Sequence, residues 1–167
     1  MEWTKDELLE NQGRVVFDEM VEIEPEAFGM NSRINSVEDV RVYGTGYLDP
    51  EDERFYVELN VEGVMLVPDA LTGEEIEYSF TADSQEVYAF KETDEDWVRV
   101  VTDDVIRLLP AVVDDILLEV PLQVTVADEE DLPEGDGWKI YTEAAYQEQQ
   151  KDAIDPRLAV LKQFKEE

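Results

Sequence analysis

A chain of 167 residues with 44 acidic and 13 basic side chains carries a formal net charge of −31, while 43% of its positions are apolar. The apolar share suffices for one domain with a sizeable core, but there are too few cations to bind a phosphate backbone directly, since each neutralised phosphate needs Lys or Arg. The lack of any Cys or His excludes disulfides, a thiol nucleophile, a Cys/His zinc site and a Ser-His-Asp triad, leaving carboxylates, Lys or Tyr for acid–base work.

Thr4 and Glu7 have capping-box spacing, predicting a short helix from Lys5 to Asn11 that stops before Gly13. Its only apolar residues are Leu8 and Leu9, so it is expected on the surface. Val15, Phe17, Val21 and Ile23 share one face at period two and predict a half-buried strand, followed by a connection from Pro25 to Ser36. Val40, Val42, Gly44, Gly46 and Leu48 then alternate with Arg41, Tyr43, Thr45 and Tyr47. A polar turn leads into a long strand that buries Phe55, Val57, Leu59, Val61, Met65 and Val67, so the two strands form an antiparallel hairpin. Pro68 to Gly73 is the next turn, and Ile76, Tyr78, Phe80 and Ala82 mark a third strand, with further short strands at Glu86 to Phe90 and Val98 to Val101.

The pattern becomes helical at Leu108 to Glu119, where Leu109, Val112, Val113, Ile116 and Leu117 recur at spacings of three and four. Pro110 suits the first turn of that helix, and Pro121 ends it. Leu122, Val124 and Val126 suggest one more strand, and Ala127 to Gly137 an exposed acidic loop. A last helix over about 155–165 takes Asp155 as its N-cap and Pro156 as its first residue, with Leu158, Leu161 and Phe164 able to dock it. The expected fold is a single α+β domain over residues 1–167: an antiparallel, curled sheet with one main packing helix and short terminal helices.

Chemistry finds little to start from. The acidic clusters at Asp49 to Glu53, Asp94 to Asp96, Asp103/Asp104, Asp114/Asp115 and Asp128 to Asp131 lack the spacing of a calcium loop, and Asp114 with Asp115 reads as a solvated helix face. No glycine-rich phosphate loop or nucleophile elbow occurs, and no carboxylate pair stands out for acid–base catalysis, so neither enzymatic activity, a cofactor nor a small-molecule substrate is expected. Gly44 and Gly46 inside a strand mark a bulge, a bend or close packing. Trp3, Trp97 and Trp138 read as packing at the core margin. Tyr43, Tyr47 and Tyr56 share an outer sheet face on which bases could stack, but without Arg and Lys around them that platform would lack its electrostatic funnel. Met1 to Glu7 has neither region of a signal peptide, and no run nears the ~20 apolar residues of a membrane span, so a cytoplasmic location is expected.

In their order and spacing these pieces resemble the YceD-like large ribosomal RNA subunit accumulation proteins of bacteria and plastids. The similarity rests on the opening helix from Trp3 to Leu9, on Phe17-Asp18-Glu19, and on Leu59-Asn60-Val61-Glu62-Gly63 leading into Pro68. It extends through Ile116-Leu117-Leu118-Glu119-Val120-Pro121-Leu122 and, most specifically, Ile154-Asp155-Pro156-Arg157-Leu158-Ala159-Val160-Leu161. Many members carry a C-x-x-C just after that proline, which suggests zinc; here Asp69 and Thr72 stand in those places, so no zinc is expected. The resemblance implies a role in synthesis, processing or stability of large-subunit ribosomal RNA.

The charge then points to basic ribosomal or assembly proteins as direct partners, with contact to the RNA indirect and none to a membrane. The C-terminal helix start, Asp155, Pro156, Arg157, Leu158 and Leu161, is the candidate docking element. Two rivals remain at this level. One is an acidic mimic of nucleic acid that inhibits a basic enzyme; the other is simple adaptation to high salt.

Overall fold

The computed structural model describes residues 1–29, 33–126 and 134–139. The chain divides into two compact units, Met1–Pro68 with Glu74–Val124, and Asp69–Gly73 with Thr125–Glu167.

The first unit is built on a five-stranded sheet. The chain opens with β1 (Glu2–Thr4) and α1 (Lys5–Glu10), then enters the sheet through β2 (Arg14–Val21). A 3-10 turn at Pro25–Phe28 precedes three long strands, β3 (Ser36–Asp49), β4 (Arg54–Pro68) and β5 (Glu75–Ala89). Short β6 (Val98–Val100) and β7 (Val105–Arg107) follow, and then α2 (Leu109–Leu118). The sheet order is β2-β3-β4-β5-β6, antiparallel throughout except where β6 joins β5 in parallel, while β1 pairs with β7 separately.

Strict alternation places the core on one face. Phe17, Val40, Val42, Leu48, Phe55, Val57, Leu59, Val61, Met65 and Val67 are all nearly or fully buried there. Helix α2 covers this face with Ala111, Val112 and Ile116, each wholly buried. The β3–β4 register slips between Glu38 and Arg41, where Asp39 takes a left-handed φ of 52° and a bulge absorbs the extra residue. The β3–β4 turn is held by the Asp49 carboxylate, which accepts the Glu51 N–H at 2.9 Å.

Several sequence expectations need correction. The first helix is capped as predicted, with Thr4 N–H donating to the Glu7 carboxylate at 2.8 Å, but Leu8 is fully buried in the core while Leu9, about 100° further round, stays half exposed. The third strand does not stop at Ala82. It continues to Ala89 because the polar residues Asp83 and Ser84 remain in register with Asn60 and Leu59 of the long β4. No strand forms over 121–126; the Leu122 carbonyl accepts from the Arg33 guanidinium at 2.7 Å instead of joining a ladder. Near its end the segment read as an acidic loop carries the two-residue strand β8 (Glu134–Gly135), which pairs with β9 (Trp138–Lys139) just beyond it, in the second unit.

Candidate functional site on the outer sheet face

With one face filled by the core, the other presents the alternate residues of β2 to β5. The registers line these up in rows across the sheet. Arg14 stands opposite Tyr47, Tyr47 opposite Tyr56, and Tyr56 opposite Val87. The neighbouring row runs from Val16 through Thr45 and Glu58 to Gln85. Between the two rows lies an open groove of about 570 Å³. Large apolar groups are left uncovered on this face: Val16, 83% exposed, and Tyr47, 45%, line the groove, and Met20, 63%, lies further along β2.

The electrostatics of this face differ from the sequence expectation in one respect. The tyrosines are not without arginines, since the Arg14 guanidinium lies 6.0 Å from the Tyr47 ring centre and Arg41 lies 4.8 Å from that of Tyr43. Strand alternation, legible in the sequence, puts Arg41 on the face of Tyr43, whereas Arg14 comes to Tyr47 only through cross-strand register. Arg41 is not a free cation. Asp18 grips it through two nitrogens at 2.8 Å and Glu62 through a third at 3.0 Å, which holds the Asp18 carboxyl below its ordinary range and raises the guanidinium further. Among the described residues Arg14 has no carboxylate partner, whereas Lys5, Arg41, Arg54, Lys91, Arg99 and Arg107 all have one.

Two buried carboxylates lie elsewhere. Asp115 of α2, expected on a solvated face, is only 5% exposed and accepts from Ser84 Oγ at 2.7 Å. Burial pushes its carboxyl up, against the Ser84 hydrogen bond. Close by, Arg99 ties Glu86 and Asp114 together at 2.6 and 2.7 Å. In the second unit Asp69, 3% exposed, accepts from Leu71 N–H, Thr72 N–H, Thr125 Oγ1 and Val126 N–H. Burial raises this carboxyl, but the four hydrogen bonds outweigh burial and hold it well below the ordinary range. From sequence Asp69 was placed in the turn from Pro68 to Gly73 and where many relatives carry a cysteine, with no role assigned to its carboxylate. The signal for its actual role was the turn composition Asp69-Ala70-Leu71-Thr72-Gly73 after a proline.

Among the described residues no group of three or more Asp or Glu is arranged to hold a metal ion, and no helix is long and apolar enough to cross a membrane. The candidate docking residues Asp155, Pro156, Arg157, Leu158 and Leu161 lie outside the described residues. So does the acidic cluster at 128–131. Trp3 packs at the core margin as expected, with its ring 5.5 Å from Phe17 and 6.2 Å from Phe55, while Trp97 stands 62% exposed beside Arg54.

Comparison with known proteins decides the family. A family model described as large ribosomal RNA subunit accumulation protein YceD matches residues 57–165. The chain belongs to the YceD family. The match starts inside β4 and spans the residues that carried the resemblance from Leu59 to Leu161. A curated relative described as uncharacterized protein YlbN, from Bacillus subtilis (strain 168), is 34% identical over 155 residues, covering 89% of this chain and 86% of the relative. No solved structure matches. The family description supports a ribosome-related role.

Proposed function

We propose that this protein is a non-enzymatic factor of ribosome biogenesis, acting in the cytoplasm to support synthesis, processing or stability of large-subunit ribosomal RNA. It does so by binding basic ribosomal or assembly proteins, and it reaches the RNA through them. Membership of the YceD family carries the ribosomal part of this reading. The choice of a protein partner rests on charge. At −31, and with six of its described cations already held by carboxylates, the surface repels phosphate and attracts the basic chains that ribosomes contain. The rival in which the carboxylates imitate a phosphate backbone gains no support, because on the outer face they are interleaved with Tyr, Val and Met.

Specific recognition must exceed general attraction between opposite charges. At about physiological ionic strength, purified basic large-subunit proteins are expected to bind at least about tenfold more tightly than lysozyme, a basic control, a difference of ~1.4 kcal/mol. Equal affinities would contradict the reading.

A further inference from the structure

We propose that the outer sheet face, centred on the groove between Arg14, Tyr47, Tyr56 and Glu58, is the docking site for an extended Lys/Arg-rich segment of a protein partner. The proposal rests on the basic-partner reading above and assigns it a place. The first argument is that this face is unfinished: the core lies on the opposite side, yet Val16 and Tyr47 at an open groove, and Met20 further along β2, remain exposed. The second is charge complementarity. Asp18, Glu58, Glu62 and Asp83 share this face, and Asp18 and Glu62 together leave Arg41 over-neutralised. The third is that the rings already display the chemistry, since Arg14 and Arg41 lie over Tyr47 and Tyr43. A partner's guanidinium would use the exposed face of Tyr56 or Tyr47 in the same way, with Glu58 in the neighbouring row of the sheet. Val16 and Met20 would take the aliphatic stems of its Lys and Arg side chains. A single-stranded RNA could stack bases on the same tyrosines, but its phosphates would then run among four carboxylates with Arg14 as the available cation.

The test uses the full chain and a synthetic Lys/Arg-rich peptide of about a dozen residues, a length that crosses a sheet of this width when extended at roughly 3.3 Å per residue. Binding is followed by isothermal titration and by backbone amide shifts. The peptide should move amides of β2, β3 and β4 on the outer face. Glu58→Lys and the double variant Tyr47→Ser/Tyr56→Ser should each weaken it about tenfold. Glu92→Lys, an exposed site away from the groove with the same change in charge, should alter affinity by less than about twofold. Glu58→Gln repeats the test with a milder change, and thermal melts check that every variant is folded. If Glu58→Lys and Glu92→Lys weaken binding equally, only net charge is at work and the site is wrong, although the basic-partner reading stands. If neither the peptide nor basic ribosomal proteins bind the parent, both fail. If a poly-uridine strand of similar length shifts the same amides and binds more tightly than the peptide, the occupant is nucleic acid and the proposal is overturned.

Discussion

At Gly46 and Gly44, on the core face of β3, there is no room for a β-carbon. One added at Gly46 would overlap the Phe55 ring, and one at Gly44 would overlap the Glu58 carbonyl oxygen and come within 2.9 Å of the Phe17 ring. Gly46→Ala is therefore expected to destabilise the fold by about 1–3 kcal/mol through overpacking, read as a lower midpoint in urea denaturation. A variant as stable as the parent would mean that the ring can move aside. Sequence alone left a bulge, a bend or close packing open for glycine in this strand, and could not name the ring that fills the space. Asp69 is the reverse case, since its identity was plain and its role was not. Its carboxyl sits below the ordinary value of 3.8 in the folded state, so its contribution is complete above that value and is lost as pH falls below it. Asp69→Asn keeps the shape but loses the charge and one acceptor oxygen. Amide exchange at Leu71, Thr72 and Val126 should accelerate by about tenfold or more, as charged hydrogen bonds are lost. Unchanged exchange would show that the backbone holds the turn without the carboxylate. Asp115 was misread because adjacent acids on a helix were treated together. The buried positions Ala111, Val112, Asp115 and Ile116 form one stripe, and Asp114 falls outside it.

At the scale of elements, periodicity was informative wherever an element ran for two or more turns of its own pattern. The hairpin of β3 and β4 and helix α2 were legible for that reason, and α1 through its capping box. The β1–β7 pair was not, because three residues carry no period and their register joins positions about a hundred residues apart, Trp3 opposite Ile106. A strand was expected at Val98 to Val101, but its parallel addition to β5 was hidden because three residues carry no period. Helix α2 closes the core, and Ile116 is wholly buried beneath it. Ile116→Ala is expected to cost about 2–5 kcal/mol, the upper end applying if the sheet cannot collapse into the cavity. Guanidinium unfolding at constant slope measures this. A loss below about 1 kcal/mol would mean that the helix contributes little to holding the sheet.

For the whole molecule, charge and family meet in one account. Composition alone led to the expectation that this chain meets RNA indirectly, and the motif order pointed to the YceD family. The outer-face groove was half legible, because the tyrosines could be placed on a face while Arg14, Gln85 and Val87 reach it only through cross-strand register. The central claim is attachment to large-subunit assembly through basic proteins. It is tested most directly by capturing the tagged full chain from lysate at about 0.15 M salt, where exposed charges act within ~8 Å, with and without RNase, and identifying what remains bound. The account predicts that basic large-subunit ribosomal or assembly proteins stay bound after RNase treatment. Recovery that disappears with RNase, or capture without any ribosomal protein, would contradict it.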